Sequence, residues 1–249
     1  MEKISNYKRT LGIITISAGI VSAACIFLGA YAVEYNFEAF SEPTLMLQYV
    51  HNHKEAYWFL LLDMAGYYLL LLPVIFYLHQ QYQYQSPWVP LFTFSGLAYV
   101  LTGAIGAAML ASTWPDLMQQ YSTAPEVEQH AIVLAFNTLT HLVTKGLWNM
   151  LEVLFAGTWW IGFGIMLKRD SKTIGLLSVT AGTACLVDSV GTMAGWKIMS
   201  ELGVNLYLVL GIVWPIVLGI RLIRQSAFPT AFHAPTTSSY IKNQTHAKV

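Results

Sequence analysis

The sequence predicts an all-α fold: a polytopic membrane helix bundle of six transmembrane helices with both termini cytoplasmic. Three observations carry that prediction. The 249 residues are 55% hydrophobic and only 10% charged, with a mean hydropathy of +0.51, whereas a soluble domain carries about a quarter charged residues. The apolar residues gather into runs long enough to cross a hydrocarbon core of about 30 Å as helix. The basic residues are also sorted by position. Lys3, Lys8, Arg9, Lys168, Arg169, Lys172, Arg221 and Arg224 fall on one side of a six-span chain, and the acidic loops on the other side hold only Lys54 and Lys197. By the positive-inside rule the basic side is the cytoplasmic one, and the setting is a cell membrane, bacterial inner or plasma membrane. A formal net charge of zero offers nucleic acid no attraction, so no nucleic acid is expected as a partner; membrane lipid is.

The first span, about residues 11–33, follows a basic segment. Ala30-Tyr31-Ala32 has the small-x-small form of a signal cleavage site, but the apolar run exceeds a signal h-region, so the span reads as uncleaved. Residues 34–56 are polar and acidic, broken by Pro43, with a short interfacial helix over about 44–53. The second span, about 57–78, contains Asp63. An uncharged connection, HQQYQYQSP, leads to the third, about 88–112, whose Gly96, Gly103 and Gly106 permit close helix approach.

Residues 113–130 are polar again. The apolar run from Ala131 to Leu167 would measure roughly 55 Å as one helix, too long for one straight crossing. The expected solution is a bend near Gly146, with the fourth span at about 147–167. The fifth, about 173–195, carries Asp188, and the sixth, about 204–223, closes on Arg221 and Arg224. Residues 1–224 thus make one transmembrane domain, with a small outer cap from 34–56 and 113–145. Residues 225–249 are rich in Pro, Ser and Thr and read as a disordered cytoplasmic tail. Trp58, Trp88, Trp114 and Trp196 fall at run ends, where interfacial anchors belong. Cys25 and Cys185 sit in apolar runs and read as small core residues, not a disulfide.

One stretch concentrates the chemistry. Asn137 to Glu152 reads NTLTHLVTKGLWNMLE, and at α-helical spacing Asn137, His141, Lys145, Asn149 and Glu152 share a face. Lys, His and Glu in hydrocarbon cost several kcal/mol each unless paired or turned to a polar cavity. Asp63 and Asp188 are the other carboxylates inside apolar runs, and the topology puts them with Glu152 at one depth, in the outer half of the bilayer. The expected site is a polar cavity open to the outer side. Glu152 and Asp188 would accept, with Asp63 in the same site, Lys145 would be the counter-charge or anion contact, His141 and Asn149 would hydrogen-bond, and Trp148 would be a wall. The bland alternative is a structural network in which Lys145 pairs with the carboxylates and locks the bundle. His51-Asn52-His53 reads as an ordinary polar loop, so no metal site is expected, and no cofactor. No Gly-rich phosphate loop, G-x-S-x-G or H-E-x-x-H occurs.

The second half carries a resemblance. Gly162-Phe163-Gly164, Leu167 to Ser171, Ile174-Gly175-Leu176-Leu177, Ala181-Gly182 and Leu186-Val187-Asp188-Ser189 together resemble a bacterial family of six-span integral membrane proteins of unknown function, over residues 146–195. The chain departs from it at Lys172-Thr173, where a Pro is expected, and at Cys185, where an aromatic is common. The resemblance implies a six-helix bundle in a bacterial inner membrane and brings no activity.

Three functions fit. The first is a non-enzymatic protein binding a small or amphipathic ligand in the outer cavity, as sensor, carrier or accessory subunit. The second is an intramembrane enzyme acting on a lipid or isoprenoid, with Glu152 or Asp188 as general acid. The third is a scaffold whose polar residues only specify packing. The chain shows no inverted repeat of the kind secondary transporters carry.

Overall fold

The structure, a computed structural model, describes residues 2–227. These are 92% helical with no strand among them. Six helical runs are long and apolar enough to cross a membrane: Ser5–Ala32, Pro43–Tyr82, Val89–Thr123, Glu126–Asp170, Lys172–Ala194 and Lys197–Ser226. We number the helices α1 (Glu2–Ala32), α2 (Glu38–Ser41), α3 (Pro43–Met46), α4 (His53–Asp63), α5 (Leu72–Tyr82), α6 (Val89–Thr123), α7 (Glu126–His141), α8 (Val153–Asp170), α9 (Lys172–Ala194) and α10 (Lys197–Ala227).

Two of the six runs are not plain α-helix. The second passes through a π segment, Met64–Tyr68, and a 3₁₀ turn, Leu69–Leu71, between α4 and α5. Pro73 follows at once, and a proline cannot donate to the carbonyl one turn back, so an α-helix there would leave that group orphaned. The fourth run passes through a longer π segment, Leu142–Glu152, between α7 and α8. Where a bend near Gly146 is expected, the chain spreads the distortion over that whole segment and stays helical from Glu126 to Asp170.

Consecutive runs pack as neighbours and α10 closes on α1, giving an up-and-down ring. Short connections make this possible. Gly195, at φ +71°, caps α9 in the left-handed conformation, and Trp196 N–H bonds back to the Gly191 carbonyl at 2.7 Å, a compact C-terminal stop. Ser171 caps the start of α9 through the Ile174 N–H. On the closing seam, a Cβ on Gly12 would stand 2.7 Å from the Gly219 carbonyl oxygen, and one on Gly219 2.6 Å from that of Gly12. Only glycine lets α1 and α10 approach so closely.

Six passes place the start of α1 and the end of α10 at one end of the bundle, where Ser5 donates to the Ser226 carbonyl, with Lys8, Arg9, Lys168, Arg169, Lys172, Arg221 and Arg224; we call this the basic end. The opposite, acidic end carries a cap. There α6 runs on through Pro115 to Thr123, and α7 begins only three residues later, so most of the stretch expected as polar loop is helix. The reason is apolar contact: Trp114 and Met118, one turn apart, bury against Val33, Met46, Leu47, Phe136 and Val143. Trp114 is therefore a cap core residue and not an interfacial anchor. Its ring stacks on Phe136 at 5.6 Å and its Nε1–H donates to Thr140 Oγ1 at 2.8 Å. At the other chain end, α10 starts at Lys197, earlier than expected, with a Lys197–Glu201 pair at 3.7 Å on its exposed first turn. It also continues through 225–227, expected as tail; residues 228–249 lie outside the described residues.

Candidate functional site

The carboxylates at the acidic half form two centres. The first is built on Glu152, the last residue of the longer π segment and 2% exposed. Tyr68, last residue of the shorter π segment, donates its hydroxyl to Glu152 Oε2 at 3.0 Å. Tyr207 of α10 lies 3.3 Å from Glu152 Oε1. Tyr99 of α6 lies 2.9 Å from the Tyr207 hydroxyl and donates to the Tyr67 carbonyl at 2.6 Å. Three of the six runs thus meet at one carboxyl group, and a fourth joins through Tyr99, one hydrogen bond away. Both π segments end on the carboxyl group, and π bulges inside α-helices are frequent at functional sites.

Asp63 stands beside this centre, at the end of α4, 9% exposed and with Oδ2 unpartnered. Below lies an aromatic floor. Trp159 stacks on Tyr99 at 5.9 Å, and Trp160 and Trp214 pack at 4.9 Å, all nearly inaccessible. The space assigned from the sequence to a cavity is therefore occupied by tyrosine and tryptophan rings. A cleft of about 30 Å³ lies at the basic end between Tyr77, Tyr82, Asp170 and Arg221. There Tyr82 donates to the Asp170 carboxylate and Arg221 to the Asp170 carbonyl.

The second centre is Asp188, fully buried on α9. Its Oδ1 accepts from Ser200 of α10 at 2.5 Å and from Thr192 at 3.2 Å, and the two hydroxyls lie 2.9 Å apart.

Lys145 does not join either centre. It is exposed and, among the described residues, forms no ion pair. The expected pairing of Lys145 with a carboxylate is therefore corrected, and the π segment is the reason. Its i→i+5 bonds take more residues per turn than an α-helix, so steps of four no longer keep a constant face, and Glu152 turns inward while Lys145 turns out. His141 and Asn149 are half-buried on the same run, and His141 Nδ1 and Asn137 Oδ1 are unpartnered. Trp148 packs on α6: its Nε1–H donates to the Gly103 carbonyl at 3.2 Å. The two histidines of the polar loop engage separately, His51 with Glu34 at 2.7 Å and His53 with the Val50 carbonyl at 2.9 Å. No group of three metal-ligating side chains occurs among the described residues, and both cysteines are buried and free.

The residues that sequence reasoning missed are Tyr67, Tyr68, Tyr99, Tyr207, Thr192 and Ser200. The tyrosines carried a readable signal. They sit mid-run, away from the interfacial positions where tyrosine usually anchors, and each buried hydroxyl needs a partner.

Fold and site together define a six-run α-helical membrane bundle with a closed carboxyl–tyrosine centre. Comparison of the chain with protein-family models, curated proteins and solved structures finds no match.

Proposed function

We propose that this chain is a non-enzymatic multi-pass membrane protein, a sensor or carrier, whose working centre is Glu152 and whose ligand there is a proton. The supporting observation is a hydrogen count. Each tyrosine hydroxyl carries one hydrogen. That of Tyr68 goes to Glu152 Oε2 and that of Tyr99 to the Tyr67 carbonyl, leaving the single hydrogen of Tyr207 to serve both Tyr99 and Glu152. A proton on Glu152 Oε1 completes the set: it donates to Tyr207, and Tyr207 donates to Tyr99. Among the described residues no basic side chain joins the centre, and a lone carboxylate buried without a counter-ion is expensive.

The closed packing favours so small a ligand over an amphipathic one, and it leaves a lipid-processing enzyme no bay for an acyl or isoprenoid chain at Glu152. The basic residues at the end with both termini support a cytoplasmic placement of those termini, and the six-span bacterial resemblance over residues 146–195 supports an inner-membrane setting.

Infrared difference spectroscopy between acid and alkaline buffer tests this on the purified protein in lipid. The wild type should give a carboxyl C=O band that Glu152→Gln loses, and Tyr207→Phe should shift that band by removing its hydrogen-bond acceptor. Retention of every carboxyl band in Glu152→Gln would reject the reading.

A further inference from the structure

The Asp188 centre has a different deficit from that of Glu152. Asp188 Oδ1, Thr192 Oγ1 and Ser200 Oγ are mutually within 3.2 Å, three contacts in all, yet two hydroxyls bring only two hydrogens. One contact is unbridged. On the same carboxyl group, Oδ2 is buried and has no partner at all. The side chain is fully buried, and among the described residues no cation pairs with it: Lys197, the basic residue at the start of α10, is paired with Glu201 on the surface.

A proton closes this account only in part. Placed on Oδ1 it would complete the ring of three contacts but leave Oδ2 unpartnered. Placed on Oδ2 it would add a buried donor with no acceptor and leave the ring open. A metal cation behaves differently, because it takes lone pairs and needs no hydrogen. Asp188 Oδ1 and both hydroxyl oxygens, mutually within 3.2 Å, can turn lone pairs to it, and the second carboxylate oxygen adds its share of the negative charge. Carboxylate and hydroxyl oxygens are hard ligands, and with no His or Cys among them they suit a hard cation best. One carboxylate in a buried setting balances one positive charge.

We infer that Asp188, Thr192 and Ser200 form a binding site for a small monovalent metal cation, at the junction of α9 and α10. Access fits the position. Thr192 and Ser200 are only half-buried, and the exposed Ala194–Ile198 turn lies next to them in the chain, so an ion from the acidic side meets the hydroxyls before the carboxylate. The site is separate from the proton reading of Glu152 and does not rest on it.

The test is thermal unfolding of the full chain in lipid nanodiscs, at fixed pH and ionic strength, with sodium chloride replacing N-methylglucamine chloride. The wild type should gain stability along a saturable sodium curve, as a ligand that binds only the folded state requires. Asp188→Asn should lose that response. Ser200→Ala and Thr192→Val, which keep the charge and serve if Asp188→Asn does not fold, should each weaken apparent sodium affinity by at least about tenfold. Glu152→Gln should keep the response, separating this site from the proton centre. A wild type indifferent to sodium, or a sodium response surviving unchanged in the Ser200 and Thr192 variants, would overturn the assignment.

Discussion

At the scale of single residues, the chain's unusual feature is a glutamate whose neighbours are tyrosines. A Lys or Arg partner would have neutralised Glu152 and made it a lock; hydroxyls instead hold it in place without supplying charge. Tyr207 is the hinge of this arrangement, since it touches both Glu152 and Tyr99. Tyr207→Phe should therefore cost about 1–2 kcal/mol, in the range of intramembrane and buried hydrogen bonds, measured by unfolding in mixed micelles. A double-mutant cycle with Glu152→Ala, which removes the contact, should return a coupling of about 0.5–1.5 kcal/mol; additive losses would mean that the two side chains do not meet. Glu152, Asp63 and Asp188 were legible in the sequence because a carboxylate in an apolar run is conspicuous. Their partners were not, because a tyrosine in a membrane helix is common, and only three-dimensional convergence makes four of them a site.

At the scale of elements, the two π segments decide which side chains point inward. Six runs could be read from hydropathy, and a distortion in the fourth from its length, but the period inside a distorted helix cannot be read from residue type. That is why Lys145 was placed with Glu152 and proved to lie on the outside. The cap was hidden for a related reason: Pro115 and the acidic residues around it look like a loop, and only the Trp114, Met118 and Phe136 contacts keep the chain helical there. Glycine substitutions separate the packed and open parts of these elements. A Cβ on Gly103 would strike the Tyr68 ring, whereas one on Gly146 meets nothing within 4 Å. Gly103→Ala should thus destabilise by about 1–3 kcal/mol through overpacking and displace the Tyr68 hydroxyl. Gly146→Ala should be neutral or stabilising by up to about 1 kcal/mol, through the backbone entropy that glycine otherwise loses on folding. Equal effects in thermal unfolding would contradict the packing described for the longer π segment.

At the scale of the molecule, an up-and-down ring with both termini at the basic end makes a simple topological prediction. Cys25 and Cys185 are buried, so the wild-type background toward a membrane-impermeant thiol reagent should be low. A cysteine at Ser122, in the cap, should label from outside intact cells, and one at Gln85, in the loop after α5, only in inverted vesicles; the reverse pattern would place the termini outside. Within the ring, the central claim is that Glu152 ties the two π segments and α10 into one unit. Hydrogen exchange of the purified protein in lipid, read peptide by peptide, tests it most directly. Glu152→Ala should speed exchange at residues 64–68 and around Tyr207, on other helices, as well as in its own segment at 142–152, while 172–182 of α9 stays protected. Acceleration confined to the segment around residue 152, with 64–68 and Tyr207 unchanged, would contradict the account.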